Sequence, residues 1–387
     1  MLLVSEGVIY GARQRAAPGA MQLVSDRHTA EDATCATKGR PMTFGQVVGL
    51  DPDLAAAMEL SRRLRPSLGR VLAVLNGKGG QGKTSVTANL GGLLALAAQQ
   101  ANSPRRVLLV DCDPQGNLGL DLGYLKPEDV PADGRVPEGV QVGDDGKGLM
   151  TALQAGTVPH RLRDVRPWLD VIPGGSALDE VNGMIFGKTA RGHSHRARLA
   201  LAEVLATIAD EYDWILIDCP PREINLQDLV LVASRAALVP VSFDQASRQG
   251  LSGVAERFSR AMTVNEHLEL LGVAMFGFQY RVNRQGDEVG QRREVRRELE
   301  ADLRAAGTDA LVFGSVIRYM PSVAKACRDR GQLVHELEQV VGPKWWEVRA
   351  GTAKGRPVPS TEAGKVAQEY EDLAGEVFTR FSQLAAR

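Results

Sequence analysis

The stretch from Leu75 to Ser85 reads Leu-Asn-Gly-Lys-Gly-Gly-Gln-Gly-Lys-Thr-Ser. It contains the pattern Gly-x-x-x-x-Gly-Lys-Thr and lies between a predicted strand and a predicted helix. Glycines in such a loop let successive backbone N–H groups converge on phosphate oxygens, and the following helix adds the positive end of its dipole. The sequence predicts a phosphate-binding loop whose contact residues are Gly79, Gly80, Gln81, Gly82, Lys83, Thr84 and Ser85.

Two side chains of this loop carry the predicted chemistry. Lys83 would place its charge between the β- and γ-phosphates of a nucleotide, and the Thr84 hydroxyl would be a ligand of Mg²⁺. ATP and Mg²⁺ are therefore the predicted cofactors. A glycine-rich turn with a chance Lys-Thr pair is the structural alternative, and the position between strand and helix argues against it.

Apolar runs alternate with longer helical stretches from Arg70 onward. The runs occupy residues 71–76, 107–111, 169–173, 214–218, 236–241, 271–276 and 311–317. Short continuous apolar runs separated by amphipathic helices are typical of a parallel sheet that is covered on both faces. The predicted fold is a doubly wound α/β domain, in which helices flank a mostly parallel twisted sheet.

The sequence predicts three segments along the 387 residues. Residues 1–40 are predicted to be a disordered leader, because most of them are small, polar and without periodicity. Residues 41–69 are predicted to form a helical N-terminal extension, with a helical pattern from Asp53 to Leu64. Residues 70–387 would form the nucleotide-binding domain, which ends in a helix with apolar residues at helical spacing.

Composition and charge narrow the class of protein. The formal net charge of −1 excludes a polybasic protein, so any nucleic-acid binding must come from a local patch. The four cysteines form no Cys-x-x-Cys pair, which argues against a zinc knuckle or a disulfide framework and favours a reducing cytoplasm. No apolar stretch is long enough to span a bilayer, and the closing helix lacks the basic face of a membrane-seeking helix.

A second lysine makes the phosphate loop more specific. With Lys78 the motif becomes Lys-Gly-Gly-x-Gly-Lys-Thr, which resembles the deviant Walker A of the ParA/MinD group of ATPases. In that family the extra lysine reaches across a nucleotide-sandwich dimer, so the resemblance implies that Lys78 acts in trans, as an arginine finger does. A solvated loop lysine is the alternative.

A second motif of that family follows the second apolar run. Residues 111–117 read Asp-Cys-Asp-Pro-Gln-Gly-Asn, which is similar to the family's Walker A′ box. The resemblance implies that Asp113 positions or activates the attacking water and that Asp111 supports the magnesium shell. It also implies a switch that senses the γ-phosphate, formed by Gln115, Gly116 and Asn117.

A third motif ends the fourth apolar run. Asp218-Cys-Pro-Pro resembles the Walker B and switch II box, and the resemblance implies that Asp218 holds Mg²⁺ through water. A carboxylate at the carboxyl end of a parallel strand lies where open α/β sheets bind ligands, although such residues also cap helices. The resemblance covers about residues 70–338. It departs from the family after Ile317, where Arg318 and Tyr319 replace a proline and an arginine.

The complete Walker A′ box favours the ParA-type partition branch of the family. That branch implies a homodimer on ATP binding, non-specific DNA binding and stimulation by a ParB-like, centromere-binding adaptor protein. The function expected is plasmid or chromosome partition by a cytoplasmic, nucleoid-associated ATPase without membrane binding. Two alternatives stay open: a ParA-like ATPase that positions a protein cargo, and a MinD-like membrane-recycling regulator.

Basic residues in the second half of the chain are candidates for DNA binding. Arginines that contact phosphates give affinity that is independent of sequence and sensitive to salt. The interleaved Glu294, Glu298 and Glu300 leave a solvated helix as an equal alternative. The candidate contacts are Arg281, Arg284, Arg292, Arg293, Arg296, Arg297, Lys325 and Arg328.

Overall fold

One mixed sheet forms the centre of the computed structural model, which describes residues 51–77, 80, 82–242, 248–278, 291–339 and 360–385. Within those residues the sheet has eight strands in the order β3-β4-β2-β5-β1-β6-β7-β8. The strands are β1 Val71–Val74, β2 Arg106–Asp111, β3 Leu162–Arg166, β4 Leu169–Ile172, β5 Tyr212–Asp218, β6 Ala236–Val241, β7 Glu269–Phe278 and β8 Leu311–Arg318. All neighbours pair in parallel except β3 and β4.

Helices cover both faces of this sheet. They are α1 Pro52–Leu64, α2 Lys83–Gln100, α3 Leu118–Leu122, α4 Lys147–Ala155, α5 Val181–Ala190, α6 Ser194–Ala197, α7 Ala200–Ala206, α8 Ile224–Ala233, α9 Arg248–Met262, α10 Gln291–Ala305, α11 Pro321–Arg330, α12 Val334–Glu338 and α13 Ser360–Ala385. Short 3₁₀ turns occur at Pro127–Asp129, Ser176–Glu180 and Ala209–Glu211. The predicted doubly wound α/β fold is confirmed.

Alternation along the central strands divides the core into two layers. In β1 all four side chains are buried; Val71 and Ala73 belong to one apolar cluster, and Leu72 and Val74 belong to the other. Residues buried on both faces explain why the strand reads as a continuous apolar run. A strand of this kind fixes the loop that follows it, because neither face can shift without exposing apolar surface.

The first and last described helices pack on this core. In α1, Ala57 is buried, and Arg65 just after the helix donates hydrogen bonds to the carbonyl oxygens of Val232 and Ser234. The apolar stripe of α13 is buried, and the ring centroids of Phe381 and Trp214 are 4.7 Å apart. None of the helices in the described part of the chain combines the length and the apolar character needed to cross a bilayer.

Several sequence predictions lie outside the described residues. They are the leader at 1–40, the start of the extension at 41–50, the loop residues Lys78, Gly79 and Gln81, and the basic residues Arg281 and Arg284.

Candidate nucleotide-binding site

The carboxyl ends of three neighbouring strands meet at the candidate site. In the sheet, β5 lies between β2 and β1, and Asp218 at the end of β5 is level with Asp111 on one side and Val74 on the other. The loop after β1 therefore lies beside the two aspartates. Ligands of open α/β sheets bind at this edge, and the sheet register brings the three predicted motifs together there.

The described part of the phosphate loop has the backbone that its glycines permit. Gly82 has φ 75°, in the left-handed region that L side chains rarely adopt. A Cβ at this position would also lie 2.4 Å from the Phe276 ring, so both conformation and space require glycine. α2 begins at the next residue, Lys83, whose side chain is buried. The helix N-terminus thus opens directly onto the loop.

A short hydrogen bond joins two predicted metal-binding residues. Thr84 Oγ1 donates to Asp218 Oδ2 at 2.6 Å. Asp218 is 1% exposed, and its Oδ1 is buried without a hydrogen-bond partner among the described residues. Burial raises the pKa of Asp218 well above its usual range, the neighbouring Asp111 raises it further, and Thr84 and Lys83 oppose the rise.

These features fit a divalent cation. A buried carboxylate oxygen without a donor is costly unless a cation or a bound water satisfies it. Carboxylate and hydroxyl oxygens are the ligands that Mg²⁺ prefers, and Mg²⁺ commonly keeps several waters between itself and the protein. Thr84 and Asp218 would hold the ion in this way beside the buried charge of Lys83.

Asp111 holds the Walker A′ segment together. Its Oδ1 accepts a hydrogen bond from the Asp113 N–H at 2.9 Å, and its Oδ2 accepts one from the Leu118 N–H at 3.2 Å. Burial raises the pKa of Asp111 to about 7, and these backbone hydrogen bonds oppose the rise. Both oxygens therefore organise the 111–118 turn, a role that the resemblance did not indicate.

Asp113 is oriented by the turn that follows it. Its Oδ1 accepts a hydrogen bond from the Gln115 N–H at 2.9 Å, and the residue is 8% exposed. The structure gives Oδ2 no hydrogen bond within the described part of the chain. A carboxylate fixed by one oxygen and open at the other can orient a water molecule.

Lys126 contacts the predicted switch, although no sequence motif marked it. Its Nζ donates to the Gln115 carbonyl oxygen, and its charge lowers the pKa of Asp111 against the effect of burial. A Cβ at Gly116 would lie 3.3 Å from the Lys126 Cε. Asn117 precedes α3, and its side chain makes no capping hydrogen bond. Lys126 is a single lysine in a loop rich in Pro, Gly and Asp, so no sequence pattern indicated its contact with Gln115.

Ser85 connects the start of α2 to α3 and α11. Its Oγ donates to Asp121 Oδ2 at 3.0 Å, and Asp121 Oδ1 accepts a hydrogen bond from Arg328 Nε at 3.1 Å. Asp121 is buried, whereas the Arg328 side chain is 53% exposed. The Ser85 side chain is therefore directed at α3, so a nucleotide contact by this residue would use its backbone.

The candidate DNA-contact arginines of α10 divide between two faces of the helix. Arg292 is buried, and Arg296 donates to the carbonyl oxygens of Phe313 at 2.9 Å and Gly314 at 3.1 Å in β8. Arg293 and Arg297 are exposed. The apolar Val295 and Leu299 lie on the inward face, which explains the orientation of Arg292 and Arg296. Lys325 and Arg328 of α11 are also exposed.

Comparison with known proteins identifies a matching family and similar partition proteins. A family model described as "AAA domain" matches residues 69–270. The chromosome partitioning protein ParA of Caulobacter vibrioides is 35% identical over 207 residues, which cover 53% of this chain and 68% of that protein. The sporulation initiation inhibitor protein Soj of Bacillus subtilis is 31% identical over 202 residues, which cover 52% of this chain and 68% of that protein.

A solved structure has the same fold. Apo McdA from Cyanothece aligns with a TM-score of 0.56 and 18% identity, over 80% of this chain and 99% of that chain. The 69–270 match includes the phosphate loop, the Walker A′ box and Asp218, which the sheet register brings to one edge. The chain therefore belongs to the ParA family of P-loop ATPases.

Proposed function

We propose that this protein is a Mg²⁺-dependent ATPase that dimerises on ATP binding, binds DNA without sequence preference and drives plasmid or chromosome partition. The observation that carries the ATPase proposal is the Thr84–Asp218 hydrogen bond, beside which Asp218 Oδ1 has no hydrogen-bond partner among the described residues. A centromere-binding adaptor would stimulate its activity. The protein would act in the cytoplasm, associated with the nucleoid.

The residues of the site suggest how ATP would be held and cleaved to ADP and phosphate. The α2 N-terminus and Lys83 would bind the phosphates, and Thr84 with Asp218 would hold Mg²⁺. Bound Mg²⁺ would neutralise charge on the phosphate oxygens. Asp113, fixed through Oδ1, would orient the attacking water with Oδ2. Asp111 would keep this arrangement rigid through its two backbone hydrogen bonds.

Dimerisation is proposed from the signature lysine. A lysine at position 78 that acts in trans would place a positive charge on the γ-phosphate of the partner subunit. Hydrolysis would remove that phosphate and weaken the dimer. This part rests on the family resemblance, because Lys78 lies outside the described residues.

Non-specific DNA binding is proposed for the exposed basic residues of α10 and α11. Arg293, Arg297, Lys325 and Arg328 expose their side chains, and contacts to DNA phosphates need no base readout. Arg292 and Arg296 are left out of this surface because they face the protein. Glu294 and Glu298 weaken the charge of α10, so α11 would contribute the stronger contacts.

The experiment is a phosphate-release assay with Mg²⁺-ATP. It compares the protein alone, with DNA, and with DNA plus the product of the adjacent gene. The proposal predicts low activity alone and stimulation when DNA and the adaptor are both present. No ATP hydrolysis under any condition would contradict the ATPase proposal, and stimulation without any DNA dependence would contradict the partition proposal and favour a cargo-positioning role.

A further inference from the structure

Arg257 of α9 lies over the start of the phosphate loop, although no sequence motif includes it. A Cβ placed on Gly77 would lie 2.7 Å from Arg257 Nη1 and 2.9 Å from Nη2. The guanidinium group therefore occupies the space that any side chain at position 77 would need. Gly77 is not among the residues with positive φ, so this close approach, and not the backbone conformation, accounts for the glycine.

Most of the hydrogen-bonding capacity of Arg257 is unused among the residues that the structure describes. The side chain is half-buried, and Nη1 donates to the Gly253 carbonyl oxygen of the same helix at 3.0 Å. Within the described part of the chain, this is the one hydrogen bond of the guanidinium, and no carboxylate pairs with it. A guanidinium has five N–H donors in a planar fork that matches phosphate oxygens. The group thus presents open donors at a loop built for phosphate.

The charge of Arg257 acts on the same region as that of Lys83. Burial raises the pKa of the Cys219 thiol, and the charges of Lys83 and Arg257 oppose that rise. Cys219 directly follows Asp218, the predicted magnesium residue. Arg257 therefore lies close enough to the carboxyl end of β5 for its charge to act there.

The position of Arg257 along the loop indicates which phosphate it would meet. The chain enters the loop at Gly77 and leaves it at α2, whose N-terminus cradles the α- and β-phosphates in loops of this type. The entry side is left for the γ-phosphate. A cation there would contact ATP and would have no partner in ADP.

We propose that Arg257 binds the terminal phosphate of the bound nucleoside triphosphate, as a second cation in addition to Lys83. It thereby makes the site selective for ATP over ADP. The inference rests on the proposed function, because it requires nucleotide binding at this loop. It adds a contact that sets the affinity difference between the two nucleotides.

The test is isothermal titration calorimetry of the full-length protein with a non-hydrolysable ATP analogue and with ADP, both with Mg²⁺. Arg257→Gln should weaken binding of the ATP analogue about tenfold or more, the loss expected for a hydrogen bond to a charged group. ADP binding should change less than about twofold on the same reasoning. Arg257→Lys, which keeps the charge but not the fork, should lose less than Arg257→Gln.

A role limited to filling the space over Gly77 gives a different result. Arg257→Gln would then lower the melting temperature without nucleotide and weaken ATP-analogue and ADP binding equally. That outcome, or unchanged binding of both nucleotides, overturns the inference. If the wild-type protein binds neither nucleotide, the proposed function itself fails, so the two failures are distinguishable.

A double-mutant cycle tests the contact between Gly77 and Arg257 directly. Gly77→Ala should displace the guanidinium and reduce the ratio of ATP-analogue to ADP affinity. In the Arg257→Gln background the same change should reduce that ratio no further, because the displaced group is already absent. A further loss of selectivity of similar size in the double variant would contradict the contact between Gly77 and Arg257.

Discussion

Arg328 donates a hydrogen bond from Nε to Asp121 Oδ1 at 3.1 Å, and this bond ties the basic helix α11 to α3. The other carboxylate oxygen of Asp121 accepts the Ser85 hydroxyl at the start of α2. α3 follows the Walker A′ box directly, so a shift of residues 111–117 on nucleotide binding would act on Arg328 through Asp121. Two hydrogen bonds, Arg328 to Asp121 and Ser85 to Asp121, therefore connect the proposed DNA surface to the start of α2, which follows the phosphate loop.

The exposed position of Arg328 leads to a prediction about DNA binding. Arg328→Ala should weaken binding about equally for all DNA sequences and lower the slope of log affinity against log salt by about 1. Fluorescence anisotropy with DNA duplexes at several salt concentrations, in the presence of ATP, measures both. Arg296→Ala is the matched control, because Arg296 is bound to β8 carbonyl groups and should leave the slope unchanged. An unchanged slope in Arg328→Ala would exclude the contact.

Gly82 should tolerate no side chain. Gly82→Ala would place a Cβ against the Phe276 ring and would cost about 1–2 kcal/mol for the left-handed backbone alone. We expect ATP binding to be lost or strongly weakened, measured by titration calorimetry. Gly183→Ala in α5 is the control, since open space surrounds that position and alanine favours the helix by about 0.5–1 kcal/mol. Normal ATP binding by Gly82→Ala would show that the loop geometry is unnecessary.

Asp113 and Lys78 should separate hydrolysis from dimerisation. Asp113→Ala removes the group that would orient water and leaves the phosphate-binding charges, so an ATP-bound dimer should accumulate and hydrolyse poorly. Lys78→Ala should bind ATP as a monomer and fail to form that dimer. Analytical ultracentrifugation with ATP, combined with phosphate release, distinguishes the two. If Lys78→Ala keeps normal dimerisation and stimulated turnover, the trans role is wrong.

His335 should make stability depend on pH in the acid range. Burial lowers the pKa of His335 below the usual 6.5 of a histidine, so the folded state favours the neutral ring. The unfolded state therefore binds more protons, and stability should fall as pH drops below about 6.5. His335→Leu should flatten this part of the melting-temperature profile. His267→Leu, at an exposed histidine, is the control. Identical profiles for His335→Leu and wild type would refute this assignment.

The sequence predicted the strands well where both faces are buried. All seven apolar runs correspond to strands, and Ala236–Val241 coincides with its predicted run. β3 was not predicted, because an antiparallel edge strand of sequence Leu-Arg-Asp-Val-Arg has no apolar run. Its place depends on Arg163, which binds the buried Asp170 of β4 at 2.7 Å, a contact that only the fold creates.

The candidate site could be predicted because its motifs follow buried parallel strands, whose carboxyl ends lie at one edge of the sheet. The positions of the three motifs at strand ends predicted that Thr84 and Asp218 would lie near each other, and the structure shows a hydrogen bond between them. The inward orientation of Arg296 could be predicted in part from the sequence, because the apolar Val295 and Leu299 mark the inward face of α10. The approach of Arg257 to Gly77 could not be predicted, because it depends on how α9 packs beside the loop.

The dependence of ATP affinity on Mg²⁺ shows directly whether Asp218 and Lys83 form a site for Mg²⁺-ATP. Calorimetric titration with ATP in Mg²⁺ and in EDTA would compare wild type with Asp218→Asn, and Lys83→Ala would serve as the variant without phosphate binding. We expect Mg²⁺ to tighten ATP binding to wild type and to have little effect on Asp218→Asn, and we expect Lys83→Ala to bind no ATP. Wild-type affinity that is the same in Mg²⁺ and EDTA, or Mg²⁺ dependence that survives in Asp218→Asn, would contradict this expectation.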